Sequence, residues 1–192
     1  EGDITALVVF QATLPIPGRV WPRDERRRAM AVRGEDTFAK SQCATCHMPA
    51  LPLNDPVFTE PSPYNLEGTL RRKDVQRPFS VDLTTVGPAP RVVAAADGRY
   101  YVRAFTDLKR HKISDAERPH FGNENLVEGL TTTDEFITRR LWGAGSTAPY
   151  GHRGDLTTLR EAIYHHGGHA RQARLQFESM SPEEQLSIIE FL

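Results

Sequence analysis

The chain has 192 residues, enough for one ordinary domain or a small core with long loops. Its 24 basic and 25 acidic side chains nearly cancel, so no basic excess points to nucleic acid. Its longest apolar run, Ala6 to Phe10, is far short of the ~20 residues that span a bilayer.

In chain order, residues 3–14 space Ile4, Leu7, Val8 and Leu14 at near-helical intervals, and Pro15-Ile16-Pro17-Gly18 ends the run. Residues 24–41 are charged and helix-forming, interrupted at Gly34, and lead directly into Cys43. Residues 49–90 are rich in proline with little periodicity, which predicts a long ordered loop around a core. Asp97-Gly98, between short β-prone runs, predicts a hairpin over 91–105. Thr133 is placed to cap a short segment reaching Trp142. Thr158-x-x-Glu161 is a capping box for a helix that Gly167-Gly168 should close, and a further helix is expected over 169–178. Ser181-Pro182-Glu183-Glu184 opens a last helix that runs to Leu192 without a stop signal. With the abrupt Glu-Gly-Asp start and no visible signal peptide, this suggests part of a longer chain.

The chemistry concentrates in Cys43-Ala44-Thr45-Cys46-His47, the spacing of c-type haem attachment. Two thiols three residues apart can add across the two porphyrin vinyl groups, and the adjacent histidine then lies under the iron. Phe38, on the lead-in helix, can wall the ring. A thioredoxin-like CxxC would need a preceding strand, and a zinc site of the usual kind a second cysteine pair; neither is present.

The second axial ligand decides between electron transfer and small-ligand chemistry. His111, His120, His152, His165, His166, His169, Met30 and Met180 are candidates, whereas Met48 is too close to His47 to reach the opposite face. Leu159, Ala162, Ile163 and His166 form one helical stripe, with His165 rotated away by about one hundred degrees. His166 is therefore the preferred ligand, against the plainer reading of a histidine stabilised at a helix C-terminus. In the Pro149–Gly154 turn, Arg153 can pair with a haem propionate and His152 can serve beside the haem edge or in catalysis; an ordinary surface turn is the alternative.

Pro149-Tyr150-x-His152-x-Gly154, then Thr158-Leu159-x-Glu161-Ala162-Ile163-x-x-His166-Gly167-Gly168, resembles the closing segment of bacterial di-haem cytochrome c peroxidases. Cys46-His47-Met48-Pro49-Ala50-Leu51, Phe105 to His111 and Leu141-Trp142-Gly143-x-Gly145 bring it nearer the di-haem oxidoreductase (thiol oxidoreductase) branch. The resemblance spans roughly the whole chain and implies the C-terminal haem domain of such an enzyme, with His47/His166 ligation. It marks His111 as a haem-pocket residue, although the family's usual Asp-x-Gly after that histidine is replaced by Lys112-Ile113-Ser114. Family members carry two CxxCH motifs and this chain has one.

The expected fold is mainly α, a cytochrome c-like haem domain with long wrapping loops and one small β-hairpin. It would be a single domain over 1–192: a helical lead-in at 1–22, the haem-attachment helix and wrapping loop at 23–90, and the hairpin with distal-side helices at 91–192. One covalent haem c would serve one-electron transfer, in the bacterial periplasm or at the outer face of the cytoplasmic membrane. The rival functions are di-haem peroxidase-like oxidoreductase chemistry on peroxide, using His152 and Arg153, and a haem subunit docked in a larger membrane-associated electron-transfer complex. An electron-transfer domain is preferred to a stand-alone peroxidase. Partners would be redox proteins or a second haem domain, with no nucleic acid and no transmembrane segment. For docking, Arg23, Arg26, Arg27, Arg28 and Arg33 could face an acidic partner, or form an ordinary solvated face.

Overall fold

The structure, a computed structural model, describes residues 2–192. Its contacts divide the chain into two compact units, grouped differently from the three consecutive segments read from the sequence. One holds the N-terminal stretch through Arg19 together with Ala50–Arg103. The other holds Val20–Pro49 and Ala104–Leu192.

The first unit contains helix α1 (Gly2–Ala12) and two small antiparallel sheets. Strand β1 (Leu51–Leu53) pairs with β4 (Tyr100–Val102), setting Leu51 opposite Val102. Strand β2 (Val57–Glu60) pairs with β3 (Phe79–Asp82), setting Phe58 opposite Val81. The proline-rich stretch is thus partly strand. Its strands are only three or four residues long, too short for a period-two pattern to stand out. The turn at Asp97-Gly98 forms, with Gly98 donating to the Ala95 carbonyl at 2.9 Å, but the hairpin over 91–105 reduces to a single bridge, Ala94 to Tyr100. Tyr100–Val102 finds its main partner far back in the sequence instead.

The second unit is built on helices α2 (Glu25–Lys40), α3 (Leu159–Tyr164), α4 (Arg171–Ser179) and α5 (Pro182–Phe191). A two-stranded sheet joins β5 (Arg110–Lys112) to β6 (Glu135–Ile137). The segment that Thr133 was expected to open is therefore strand and turn. Asp24 caps α2, its carboxylate accepting from the Arg27 N–H at 2.8 Å. Met30, Ala31, Gly34 and Phe38 fall on one face of α2 and are buried. That face meets Ser187, Ile188 and Phe191 of α5, whose start is fixed by the Ser181/Glu184 capping box. Phe38, Phe177, Ile188 and Phe191 form the core of this unit. Each such side chain contributes about 1.5–3 kcal/mol by leaving water. Arg27 and Arg33 pair with Glu190 and Glu183 of α5 at 3.0 and 3.2 Å, so part of the arginine run is engaged within the unit.

The expectation of a mainly α, cytochrome c-like fold with one hairpin is corrected by this architecture. Among the described residues the chain is a mixture of five α-helices and three separate two-stranded sheets, without a clear cytochrome c arrangement. Strands this short gain their partners through contacts distant in sequence, which local patterning does not report. No helix among the described residues is long and apolar enough to cross a membrane.

Gly34 does not interrupt α2. It lies inside the helix where α5 crosses, and a Cβ there would run into the Ser187 carbonyl and stand 2.8 Å from the Phe191 Cβ. Glycine costs a helix roughly 1 kcal/mol relative to alanine, and here it permits the close approach. Gly34→Ala is expected to lower the thermal midpoint, because overpacking costs about 1–3 kcal/mol and outweighs the propensity gain. A raised midpoint on thermal unfolding would show that the two helices do not approach so closely.

Candidate functional site

Phe38, Cys43, Cys46, His47, His152, Arg153 and His166 all belong to the second unit. The CxxCH segment follows α2 as a tight turn (Cys43–Thr45). Gln42 enters it with left-handed backbone (φ +65°), and its carbonyl accepts from Thr45 N–H and Oγ1 at 3.0 and 2.7 Å. The His47 amide closes the turn on the Cys43 carbonyl at 3.0 Å. The thiols have different neighbours. Cys43 Sγ lies 3.3 Å from the Ser41 hydroxyl and packs against the core, while Cys46 faces Asp107 and His111. Burial pushes both thiols up, and for Cys46 the Asp107 carboxylate adds to the effect.

His47 Nδ1 lies 3.0 Å from the carbonyl of Phe105, which fixes the ring through an Nδ1–H donor. Burial lowers its pKa against the opposing pull of the Phe105 and Arg139 carbonyls, so His47 is neutral near pH 7. Phe105 itself has φ +52° and Leu108 φ +57°. With Gln42 these are the only non-glycine residues of left-handed backbone among the described residues, and all three flank the cysteine–histidine segment or its supporting loop. Such backbone costs of order 1–3 kcal/mol per residue and persists where the surroundings over-determine it. The surroundings are evident: buried Thr106 donates from Oγ1 to the Thr138 carbonyl at 2.6 Å and accepts from the Leu108 N–H at 3.0 Å.

The Thr158/Glu161 capping box opens α3, as the sequence indicates, but the helix ends at Tyr164. His166 lies just past the His165 cap and folds back, its Nδ1 2.6 Å from the Ala162 carbonyl. The ring packs edge-on against Phe121 at 5.6 Å. Gly167 and Gly168 then pass hard against the chain leaving β5: Gly167 N–H donates to Ile113 O and Gly168 N–H to Asp115 Oδ2, both at 2.8 Å. Gly168, at φ +51°, has no room for a Cβ beside the Lys112 carbonyl. His165 turns elsewhere and stacks on His120 at 4.2 Å.

His166 is partly buried, and burial lowers its pKa to about 4, with the charges of His47 and His165 pushing the same way. The influence of His47 places it within electrostatic range of His166. Each imidazole gives Nδ1 to a backbone carbonyl and is neutral, the state in which Nε2 binds a metal. For His47 a ligand at Nε2 would take over from the nearby Arg139 carbonyl. The rings of Phe38, Phe105 and Phe191 lie within 6.4 Å of one another, edge-on or tilted, and Phe38 lies 6.2 Å from the His47 ring. Two thiols, two such imidazoles and an aromatic wall are a donor set that fits a covalently held haem.

His152 and Arg153 flank Glu124. His152 Nε2 is 3.7 Å from Glu124 Oε2, and its ring lies over Phe136 at 4.6 Å. Their turn is closed by Tyr150 and Leu156 pairing at 2.7 Å, and Gly151 sits close to Phe121, the ring on which His166 rests.

Sequence reasoning missed two features. The Phe105 carbonyl carries no signal, because its role comes from backbone geometry. Asp107 and His111, four apart, were a legible pair: their side chains meet at 2.8 Å, and Asp107, His111 and Cys46 converge within 4.8 Å. An open cleft of about 740 Å³, lined by ion-paired Glu117, Arg118 and Glu178 with His120 and His165, contains none of the cysteine–histidine residues. No protein-family model matches the chain, and neither does any curated protein or solved structure.

The low pKa of His166 has a consequence for stability. Between pH 6.5 and about 4 the unfolded chain binds a proton that folded His166 refuses. The contribution is complete above pH 6.5 and is lost as the pH falls toward 4, up to about 3 kcal/mol. Chain purified without haem is expected to lose urea resistance between about pH 7 and about pH 4.5, and His166→Leu to lose measurably less. Parallel losses in the two proteins would show that His166 is not the group responsible.

Proposed function

We propose that this chain carries one covalent haem c, attached at Cys43 and Cys46 with His47 and His166 as axial ligands, and serves in one-electron transfer. The observation that carries the reading is the matched state of the two histidines: each is neutral, each is oriented through Nδ1 by a backbone carbonyl, and the charge of His47 reaches His166. Bound there, the haem supplies ferric–ferrous cycling. The protein's part is to hold the imidazoles in one tautomer, to supply two thiols three residues apart, and to keep water away with Phe38, Phe105 and Phe191. Axial sites filled on both sides favour electron relay over peroxide cleavage.

On this reading the chain corresponds to the C-terminal haem domain of the di-haem enzymes it resembles, working in an oxidising compartment outside the cytoplasmic membrane with a redox protein or a second haem domain as partner. The resemblance of the 149–168 segment supports that assignment.

The test is low-temperature EPR of the oxidised, haem-loaded protein. A low-spin signal of bis-imidazole type is expected, replaced by a high-spin signal in His166→Ala. His166→Met is expected to restore a low-spin centre at a higher midpoint potential, since thioether ligation raises it. A high-spin spectrum in the unaltered protein would overturn the reading in favour of an open iron, and peroxide turnover lost in His152→Ala would then identify the chemistry.

A further inference from the structure

The Cys46–Asp107–His111 cluster is not explained by haem attachment. Its three side chains come from three separately fixed segments. Cys46 ends the turn that follows α2. Asp107 lies on the strained 105–108 loop. His111 is the central residue of β5, paired with Phe136 of β6. One ligand atom from each lies within 4.8 Å of the other two.

We propose that the haem-free chain binds a divalent transition-metal ion of the zinc class at Cys46, Asp107 and His111. The donor set decides the class. A thiolate, an imidazole and a carboxylate together suit a borderline-soft ion and not calcium or magnesium, which take oxygen ligands throughout. The geometry is close to what such an ion needs. Ligand atoms at ~2.0–2.3 Å from a tetrahedral ion stand ~3.3–3.7 Å apart, so the 2.8 Å Asp107–His111 pair opens by about half an ångström and the thiol, within 4.8 Å of both, closes by at most about one and a half. Three protein ligands leave the fourth position to water, with the His169 ring standing edge-on to His111 at 5.8 Å.

Asp107 is held for this role. Its side chain is 4 % exposed, and Oδ1 accepts from the Lys109 N–H at 2.9 Å, leaving Oδ2 toward His111. Burial alone would raise its carboxyl, but the Lys109, His111 and Thr138 hydrogen bonds prevail and hold it down at about 2. The carboxylate is therefore charged throughout the neutral range. The proton now between Asp107 Oδ2 and His111 Nε2 gives way to the ion: His111 takes its proton on Nδ1, and the Cys46 thiol releases one proton to solvent as it becomes a thiolate.

The site belongs to the chain without haem, because a cysteine converted to a thioether has no thiolate to offer. Metal and haem are alternatives at Cys46. The metal site does not depend on the haem reading, since haem takes no part in its test.

The test is a cobalt(II) titration of the full-length haem-free chain, followed by optical absorption. One ion per chain is expected, with a thiolate-to-cobalt charge-transfer band and the strong d–d bands of a tetrahedral centre. Cys46→Ser is expected to abolish the charge-transfer band, and His111→Gln to weaken binding by at least ~10–100-fold. Cys43→Ser is expected to leave both the band and the affinity unchanged. Asp107 also supports its own loop, so His111→Gln, on a partly exposed strand, is the deciding variant, with far-UV circular dichroism reporting its fold. Absence of the band overturns the proposal. So does loss of the band in Cys43→Ser with binding in His111→Gln unaltered, which would assign the ion to the cysteine pair.

Discussion

The hydrogen bond from His47 Nδ1 to the Phe105 carbonyl is the interaction on which the cysteine–histidine region of this molecule depends. It joins two segments 58 residues apart, the cysteine–histidine turn after α2 and the loop before β5. A carbonyl can aim at the imbalanced side of a buried imidazole only if the backbone turns it there, and Phe105 does so at φ +52°, an arrangement a bulky residue adopts at a cost. Thr106 and Thr138 hold that turn from behind. The loop then delivers Asp107, β5 delivers His111, and the chain leaving β5 clamps Gly167 and Gly168. His166 is thus positioned from both sides: its own ring on Ala162, and the two residues after it on the β5 exit.

The helical frame supplies part of the apolar surroundings that keep His47 neutral. α2 and α5 cross closely because Gly34 has no side chain, and that contact brings the Phe38 and Phe191 rings together at 5.3 Å, tilted by 50°. The aromatic cluster extends to Phe105 at 5.6 Å from Phe191, so the strained residue that orients His47 is also a core residue. Strain, packing and the orientation of the His47 imidazole are therefore one arrangement. A buried ionic cluster steadies the far side of α4: Arg174, with no exposed side-chain surface, pairs with Glu178 and Glu117 at 2.9 and 3.1 Å. Removing one partner from such a cluster strands a buried charge, which is why it reads as a positioning device more than a source of stability.

How far the sequence announces this depends on the range of the interaction. Capping boxes act over three residues, and those at Thr158 and Ser181 are where the sequence indicates. The CxxCH spacing and the amphipathic α2 are equally local. Gly34 reads as a break because propensity is local, whereas its reason for being there, the Ser187 carbonyl, is more than 150 residues away. The strands fail for the same cause: Leu51–Leu53 pairs with Tyr100–Val102, and the 135–137 strand lies where a capped helical segment was expected. The stripe through Leu159, Ala162 and Ile163 extends the helix to His166, yet α3 stops two residues earlier, because Gly167 and Gly168 are drawn to residues 112–115 by backbone contacts that no periodicity records.

Cys43 and Cys46 share a motif but not an environment, and the difference separates their chemistry. Cys43 is turned toward Ser41 and packed against the aromatic core, where its neighbours are a hydroxyl and hydrocarbon. Cys46 faces a carboxylate held ionised and an imidazole. For haem attachment the two thiols are equivalent in kind, each adding to one vinyl group. For a metal ion they are not, since only Cys46 has nitrogen and oxygen ligands beside it. Haem attachment at Cys46 would remove it from the proposed metal site and metal binding would withhold it from a vinyl group, because a thioether cannot ligate as a thiolate and a metal-bound thiolate is not free to add. On that proposal the environment of one sulfur would set a competition that the five-residue motif does not contain.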